Sequence, residues 1–436
     1  MKNNRIVLTA VAASFFLTGC GASAAEPVPA SEPLSIAEEV SAEVQVNKES
    51  DSASEVQPSG VGENEKEPET PLSTETPEQA EVSEEEPTEV PTEVTLCMVG
   101  DILLHTPVAE SGRTADGSYR FDAVFAHMQE KITEADLAIV NQEVIIGGEE
   151  LGVSGYPAFN APYELGDALV NAGFDVVCHA TNHALDKGKK GIVNCLTFWD
   201  ENYPETAVLG IHGSEEEQSE IFVYEQEGIR IAILNYTYGT NGIALPSDMP
   251  YAVDLLDKEK VEADLQRASG MADFVIVCPH WGTEYVLEET AEQEKWAEVF
   301  AENGADLVIG THPHVIEPIE WVGDTLVYYS LGNFVNWTSG TGKGVANRMV
   351  GGMAQVTIGL DEEGEAYIAD WGVEPVVCHL EQGFGGVTVY PLEEYTEELA
   401  EKNEIVKQDE SFTLEYCRQL AQDVFGEQAD DVGSDG

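Results

Sequence analysis

Ala305-Asp306-Leu307-Val308-Ile309-Gly310-Thr311-His312-Pro313-His314 is a short apolar run that ends in two imidazoles one residue apart. The run has the length of a strand rather than a helix, and the proline stiffens the segment between the rings. One histidine in such a place says little, because many simply pack or face solvent. Four other apolar runs end in the same manner. Residues 94–99 run into Gly100-Asp101, 137–140 into Asn141-Gln142-Glu143, 174–178 into His179-Ala180-Thr181-Asn182-His183, and 274–278 into Pro279-His280. Oxygen and nitrogen donors of the metal-binding type thus leave one end of five strands in turn.

Between these strands the pattern takes a helical period. Residues 121–134 carry Phe121, Val124, Phe125, Met128 and Ile132 at helical spacing. Further helices are read near 164–172, 187–201, 254–269 and 291–303, the last ending before Gly304 as a C-cap. Residues 221–224 and 229–234 read as strands paired across Gln226-Glu227-Gly228. After the His-Pro-His loop, strand-like runs dominate at 319–322, 325–330, 353–358 and 366–377, and a last helix is read near 412–424. Alternating strands and helices predict an α/β domain with a largely parallel first half. The later strands predict a second, antiparallel sheet packed on the first. In open α/β sheets, sites form beyond the carboxyl ends of the strands. That rule brings Asp101, Glu143, Asn182, His183, His280, His312 and His314 to one rim.

Carboxylate, amide and imidazole donors without thiolate suit manganese, zinc or iron. Glu143 can bridge two ions, which at about 3.5–4 Å separation would activate a bound water. Asn182 can lend its amide oxygen, and His183 can point away from the ions and protonate a leaving group. Each residue also has a plainer reading. Asp101 can cap the next turn, Glu143 can be a solvated carboxylate, Asn182 a turn residue and His183 a surface group. The recurrence at five strand ends favours the site. His105 and His179 stay open between the two readings, while His127, His212 and His379 read as surface or core.

The N-terminal part has another character. Lys2 and Arg5 precede an apolar core at 6–17, too short to span a membrane. Leu17-Thr18-Gly19-Cys20 then resembles the lipobox of bacterial lipoproteins, which implies cleavage before Cys20 and acylation of its thiol. Residues 21–93 contain no Phe, Trp, Tyr or His, and 26–93 carry 20 acidic residues against Lys48 and Lys66. Such a segment cannot bury enough apolar surface to offset its chain entropy. It reads as an extended acidic tether, with an acidic interaction tail as the rival reading. The whole chain carries a net charge of −62, of which −46 falls on residues 94–436. Nucleic acid is a poor partner for it, and any polyanionic substrate needs local cations at the site. Cys97, Cys178 and Cys278 sit inside apolar runs as small buried thiols. No CxxC motif occurs. A Cys378–Cys417 disulfide is open on the sequence.

Six motifs carry a family resemblance: Gly100-Asp101, Asn141-Gln142-Glu143, residues 180–188, His280-Trp281-Gly282-Thr283-Glu284-Tyr285, Gly310-Thr311-His312-Pro313-His314-Val315 and residues 329–335. In this order they resemble the motifs of the CapA family of capsule-synthesis proteins, which is associated with poly-γ-glutamate production. The resemblance covers about residues 94–340. It implies a calcineurin-like metallophosphatase fold, a two-sheet α/β sandwich flanked by helices. It also implies one or two divalent ions, Mn, Zn or Fe. Asp101 then looks like a ligand of one ion, Glu143 like the bridge, Asn182 and His280 like ligands of the second. His312 and His314 divide between the two, and His183 looks like the catalytic histidine. Trp281, Glu284, Tyr285 and Asn333 are expected around the pocket. The chain departs from the phosphoesterase pattern where Leu103 replaces a histidine and where the bridging residue is Glu rather than Asp.

The expected organisation is a signal peptide at 1–19, an acidic linker at 20–93 beginning at lipidated Cys20, a CapA-type metallophosphatase-like domain at 94–340, and C-terminal strands with an acidic helical tail at 341–436. The expected role is a membrane-anchored, extracytoplasmic protein for synthesis or anchoring of capsule or poly-γ-glutamate. Its expected partner is an anionic cell-surface polymer or its membrane synthase. A metal-dependent hydrolase or transferase, a non-catalytic accessory subunit, and a phosphoesterase for a nucleotide or lipid-linked intermediate all fit the motifs.

Overall fold

The computed structural model describes residues 92–383 and 385–429. The signal segment, Cys20 and nearly all of the acidic linker lie outside the described residues, as do residues 430–436. The strands are Glu93–Ile102 (β1), Leu137–Asn141 (β2), Val176–Cys178 (β3), Ala207–Leu209 (β4), Phe222–Gln226 (β5), Ile229–Thr237 (β6), Phe274–His280 (β7), Leu307–Ile309 (β8), Ile319–Val322 (β9), Thr325–Tyr328 (β10), Asn333–Val335 (β11), Val350–Leu360 (β12), Ala366–Leu380 (β13) and Val387–Pro391 (β14). One sheet has the order β14-β13-β12-β1-β2-β3-β4, with β11 also paired to β1, and the other has the order β5-β6-β7-β8-β10-β9. This is a two-sheet α/β sandwich flanked by helices.

Side-chain alternation builds the layers. In β6 and β7, Ile231, Ile233, Ile276 and Cys278 join the large core shared with β1–β3, while Ala232, Leu234, Val275 and Val277 face a second core. Val261 and Leu265 of helix Lys258–Ser269 and Phe300 of helix Ala291–Glu302 close that second core. Both helices start where the sequence can satisfy their free N–H groups. Asp257 accepts from the Lys260 N–H, and Thr290 with Gln293 forms a reciprocal capping box.

The arrangement of the later strands differs from the expectation. Strands β12–β14 form no second sheet; they extend the first sheet antiparallel from β1. β12 is buried at most positions along its length, which suits a central strand with neighbours on both edges. The second sheet is made by the mid-chain strands, three of whose pairings are parallel. The expected helix at 121–134 is broken into Asp122–Phe125 and Gln129–Glu134. Its five apolar side chains stay buried. The turn between the pieces lets the His127 ring pack 4.1 Å from that of Tyr390. β4, β11 and β14 were not legible as strands, being short and without a clear period.

Two glycines let the site's elements touch. A Cβ on Gly100 would stand 2.0 Å from the Gly332 carbonyl oxygen, which accepts from the Asp101 N–H at 3.0 Å. A Cβ on Gly310 would meet the Tyr329 carbonyl oxygen at 2.1 Å. Any side chain at either place would push a donor-bearing loop off its strand.

Glu317 is fully buried and couples stability to pH. Gln293 Nε2 donates to its Oε2 at 2.6 Å, and Oε1 has no partner. Burial drives the carboxyl up to about 8 from an ordinary 4.5, against the pull of Gln293. Below pH 4.5 the folded and unfolded chains both hold the proton. Between 4.5 and 8 the unfolded chain releases it and the folded chain keeps it, so stability falls as pH rises across that window. Glu317→Gln is expected to gain about 1–3 kcal/mol at pH 8 and nothing at pH 4. Urea denaturation at the two pH values checks this; equal effects at both would sink it.

Candidate metal centre

Asp101, Glu143, Asn182, His183, His280, His312 and His314 come together in the structure, all buried. They do not share one sheet. β1, β2 and β3 of the first sheet supply or precede Asp101, Glu143 and the 182–183 pair. β7 and β8 of the second supply His280 and lead to the His-Pro-His loop. The site therefore sits where the carboxyl ends of both sheets' parallel strands meet.

The loop is held by unusual backbone. His312 and His314 have φ of 102° and 59°, a region costly for residues with a Cβ. Hydrogen bonds hold it there. The His312 N–H donates to Asp101 Oδ2 at 3.2 Å, and Asn333 Nδ2 donates to the His314 carbonyl at 2.9 Å and the Arg348 carbonyl at 3.0 Å. The Tyr285 N–H donates to the Pro313 carbonyl at 2.7 Å.

The donor atoms fall into two groups, Asp101–Glu143–His314 and Glu143–His280–His312, each with its ligand atoms within 4.8 Å of one another. Glu143 is common to both. His314 Nδ1 lies 3.1 Å from Asp101 Oδ2 and 3.7 Å from Glu143 Oε2. His280 Nε2 lies 3.7 Å from Glu143 Oε1 and 3.1 Å from Asn182 Oδ1. Asn141, next to the bridge, donates from Nδ2 to Asp101 Oδ1 at 2.8 Å.

Whether these residues fit a cation can be tested on their unmet polar atoms. Both oxygens of Glu143, Oδ1 of Asn141 and Nδ1 of His312 are buried without a hydrogen-bond partner. All four can accept, and a native interior rarely leaves so many acceptors unmet in one place. The 3.7 Å separations are too long for hydrogen bonds. They suit two donors on one ion with bonds of about 2.0–2.2 Å. The electrostatics agree. Burial pushes the Glu143 carboxyl well up, opposed by His314 and reinforced by Asp101. Burial, then neighbouring imidazoles, pushes His280 and His312 well down, so they stand neutral as ligands must. For His314 burial pulls down, but Glu143 and Asp101 outweigh it and raise the ring to about 9. The site demands positive charge, and the residues fit one or two divalent ions.

His183 stands at the edge of this cluster. Its Nδ1 lies 2.7 Å from Asp186 Oδ2, and that carboxylate oxygen can only accept, so Nδ1 carries the proton. Nε2 is thereby turned inward, 3.9 Å from Glu143 Oε1. The Phe159 ring packs edge-on at 4.7 Å, and the Phe159 N–H also donates to Asp186 Oδ2 at 2.7 Å. The ring faces the donor cluster rather than away from it.

Of the residues expected around the pocket, Tyr285 lines a cavity beside His314. Glu284 is exposed, and its charge reaches both Glu143 and Tyr285. Trp281 and Asn333 do not line that cavity. The Trp281 indole is in the second core and donates to the Tyr329 carbonyl at 2.9 Å. Asn333 is buried under the loop it pins. His105 lines the cavity, with burial and the nearby His314 lowering it to about 3. His179 is fully packed, 3.6 Å from the Cys195 sulfur, and lowered by burial to about 3. His127, His212 and His379 pair with Glu394, Asp254 and Tyr395 outside the site. Sequence reasoning missed Asn141, Asp186 and Arg348. Asp186 had a signal, three residues after His183 in the same motif.

The chain is similar to several known proteins. The family described as bacterial capsule synthesis protein PGA_cap matches residues 95–338. The capsule biosynthesis protein CapA of Bacillus anthracis is 31% identical over 262 residues, covering 56% of this chain and 61% of that protein. The PGA biosynthesis protein CapA of Bacillus subtilis is 33% identical over 174 residues, covering 39% of this chain and 45% of that protein. The chain thus spans less than two thirds of the length of either relative. Among solved structures, a putative 5′-nucleotidase from Staphylococcus aureus in complex with alpha-ketoglutarate has a TM-score of 0.39 at 13% identity, covering 68% of this chain and 54% of that one. The NAD nucleotidase of Haemophilus influenzae has a TM-score of 0.38 at 12% identity, covering 68% and 59%. With the family match running from β1 through the His-Pro-His loop to β11, the chain belongs to the PGA_cap family of bacterial capsule synthesis proteins.

Proposed function

We propose that this protein is a lipid-anchored, extracytoplasmic component of capsule or poly-γ-glutamate synthesis, acting as a metal-dependent hydrolase or transferase on the polymer or its attachment. The observation that carries the reading is Glu143, whose two buried oxygens lack partners where two donor groups meet. Bound divalent ions there would lower the pKa of a coordinated water toward about 7 and polarise an oxygen of the substrate. The chain's own residues do the rest. Asp101, Glu143, Asn182, His280, His312 and His314 hold the ions, and His183, oriented by Asp186, moves a proton at Nε2. Support for the anchor comes from Cys20 after an apolar core, and for an anionic polymer from the family and from the need for local cations in so acidic a chain.

The test is expression of the full chain in a polymer-producing bacterium that lacks its own CapA-type protein. Restored surface polymer, together with stoichiometric Mn, Zn or Fe in the purified protein, is the expected outcome. Restoration by a protein that holds no metal would make it an accessory subunit, and no restoration would overturn the polymer role. Cys20→Ala is expected to move the protein out of the membrane fraction.

A further inference from the structure

We propose that the cavity beside His314 is the subsite for a carboxylate-bearing unit of the substrate, and that Arg348 is the side chain that selects it. The proposal rests on the polymer reading above and names the part of the substrate that this site holds. The cavity measures about 320 Å³, and Leu103, His105, Tyr285, Trp337 and Arg348 line it together with His314. His314 also belongs to the Asp101–Glu143 donor group, so cavity and metal centre share a wall. Leu103, which stands where the phosphoesterase pattern has a histidine, makes part of the apolar lining.

Arg348 is the one Lys or Arg among the lining residues. The chain has 82 acidic residues against 20 basic ones, and most cations find a carboxylate at once. Arg113, Lys131, Arg230, Lys260 and Arg267 all do so. Among the described residues Arg348 forms no ion pair. Its Nη1 donates to Thr338 Oγ1 at 2.8 Å, its Nε is buried without a partner, and its guanidinium carbon lies 3.5 Å from the centroid of the Tyr285 ring. Stacking on Tyr285 and the bond to Thr338 fix the plane of the fork and leave other N–H groups for a ligand. A planar fork held this way matches a carboxylate.

Size narrows the class. The volume lies at the low end of ligand pockets, about 300–1,000 Å³, and suits one amino-acid-sized unit better than a nucleotide. As the one Lys or Arg of the lining, Arg348 supplies the cavity's permanent side-chain cation. A bound unit would place its carboxylate on Arg348, its aliphatic stem against Leu103 and Trp337, and its reacting bond toward the metal centre.

The test is calorimetric titration of the manganese-incubated full-length protein with a γ-linked glutamyl dipeptide, its neutral amide, and inorganic phosphate. The dipeptide is expected to bind about tenfold or more tightly than the amide. Arg348→Met is expected to remove that preference with manganese content unchanged, and Arg348→Lys to restore only part of it. Arg348→Met binding the dipeptide as the wild type does, no preference for the dipeptide over the amide, or no dipeptide binding at all would each overturn the proposal. Arg348-dependent binding of phosphate without binding of the dipeptide would overturn it in favour of a phosphate subsite. Failure of the polymer role would appear separately, as unrestored surface polymer beside an intact carboxylate preference.

Discussion

Glu143→Gln is expected to abolish metal binding while leaving the metal-free protein at least as stable as the wild type. The two effects have one cause. Glu143 is the single residue common to both donor groups, so its loss removes a ligand from each ion. In the metal-free chain the same carboxylate is buried with both oxygens unpartnered, a condition that costs about 1–3 kcal/mol per unmet group. Gln has the same shape and no charge to bury. Wild-type protein at a metal concentration of 100 times Kd should gain about 2.7 kcal/mol of stability, and the variant none. Elemental analysis after dialysis, with thermal melts in manganese and in chelator, reads both effects. Wild-type stoichiometry in the variant would refute the bridging role.

His183→Ala is expected to keep the metal and lose the chemistry. His183 belongs to neither donor group, so metal content should hold at the wild-type level. Its Nε2 nevertheless faces the cluster, with Asp186 fixing the proton on Nδ1. A positioned general acid or base contributes about 10²–10⁴ in rate. Cleavage of γ-linked glutamyl oligomers and of a chromogenic phosphodiester by manganese-loaded wild type and variant measures it. A rate loss below about tenfold on whichever substrate the wild type cleaves would remove His183 from the reaction.

The parts legible in the sequence were those with a period. Apolar runs such as 94–99 and 274–278 are buried on both sides, and a residue ending such a run has few places to go. Asp101 and His280 were therefore placeable from order alone. What the sequence hid was partnership between sheets. Nothing local says that β12 returns to β1 rather than to β10, because that choice depends on burial across both edges. Residue type misled in the same way at Trp281 and Asn333. An aromatic and an amide in a motif look like pocket lining, yet one fills the second core and the other pins the His-Pro-His loop. Arg348 gave no local signal at all. It becomes visible only once the fold shows a guanidinium without a carboxylate in a chain crowded with them.

The six described cysteines are buried, and no disulfide joins Cys378 to Cys417. Burial lifts the thiols of Cys195, Cys378 and Cys417 to about 12, so they carry almost no thiolate at neutral pH. Among the described residues there is thus no disulfide to complete and no cysteine thiol open to an oxidant or alkylating reagent while the fold stays closed. It can mature in reducing or oxidising surroundings alike. Thiol labelling then becomes a clock for how often the sandwich opens.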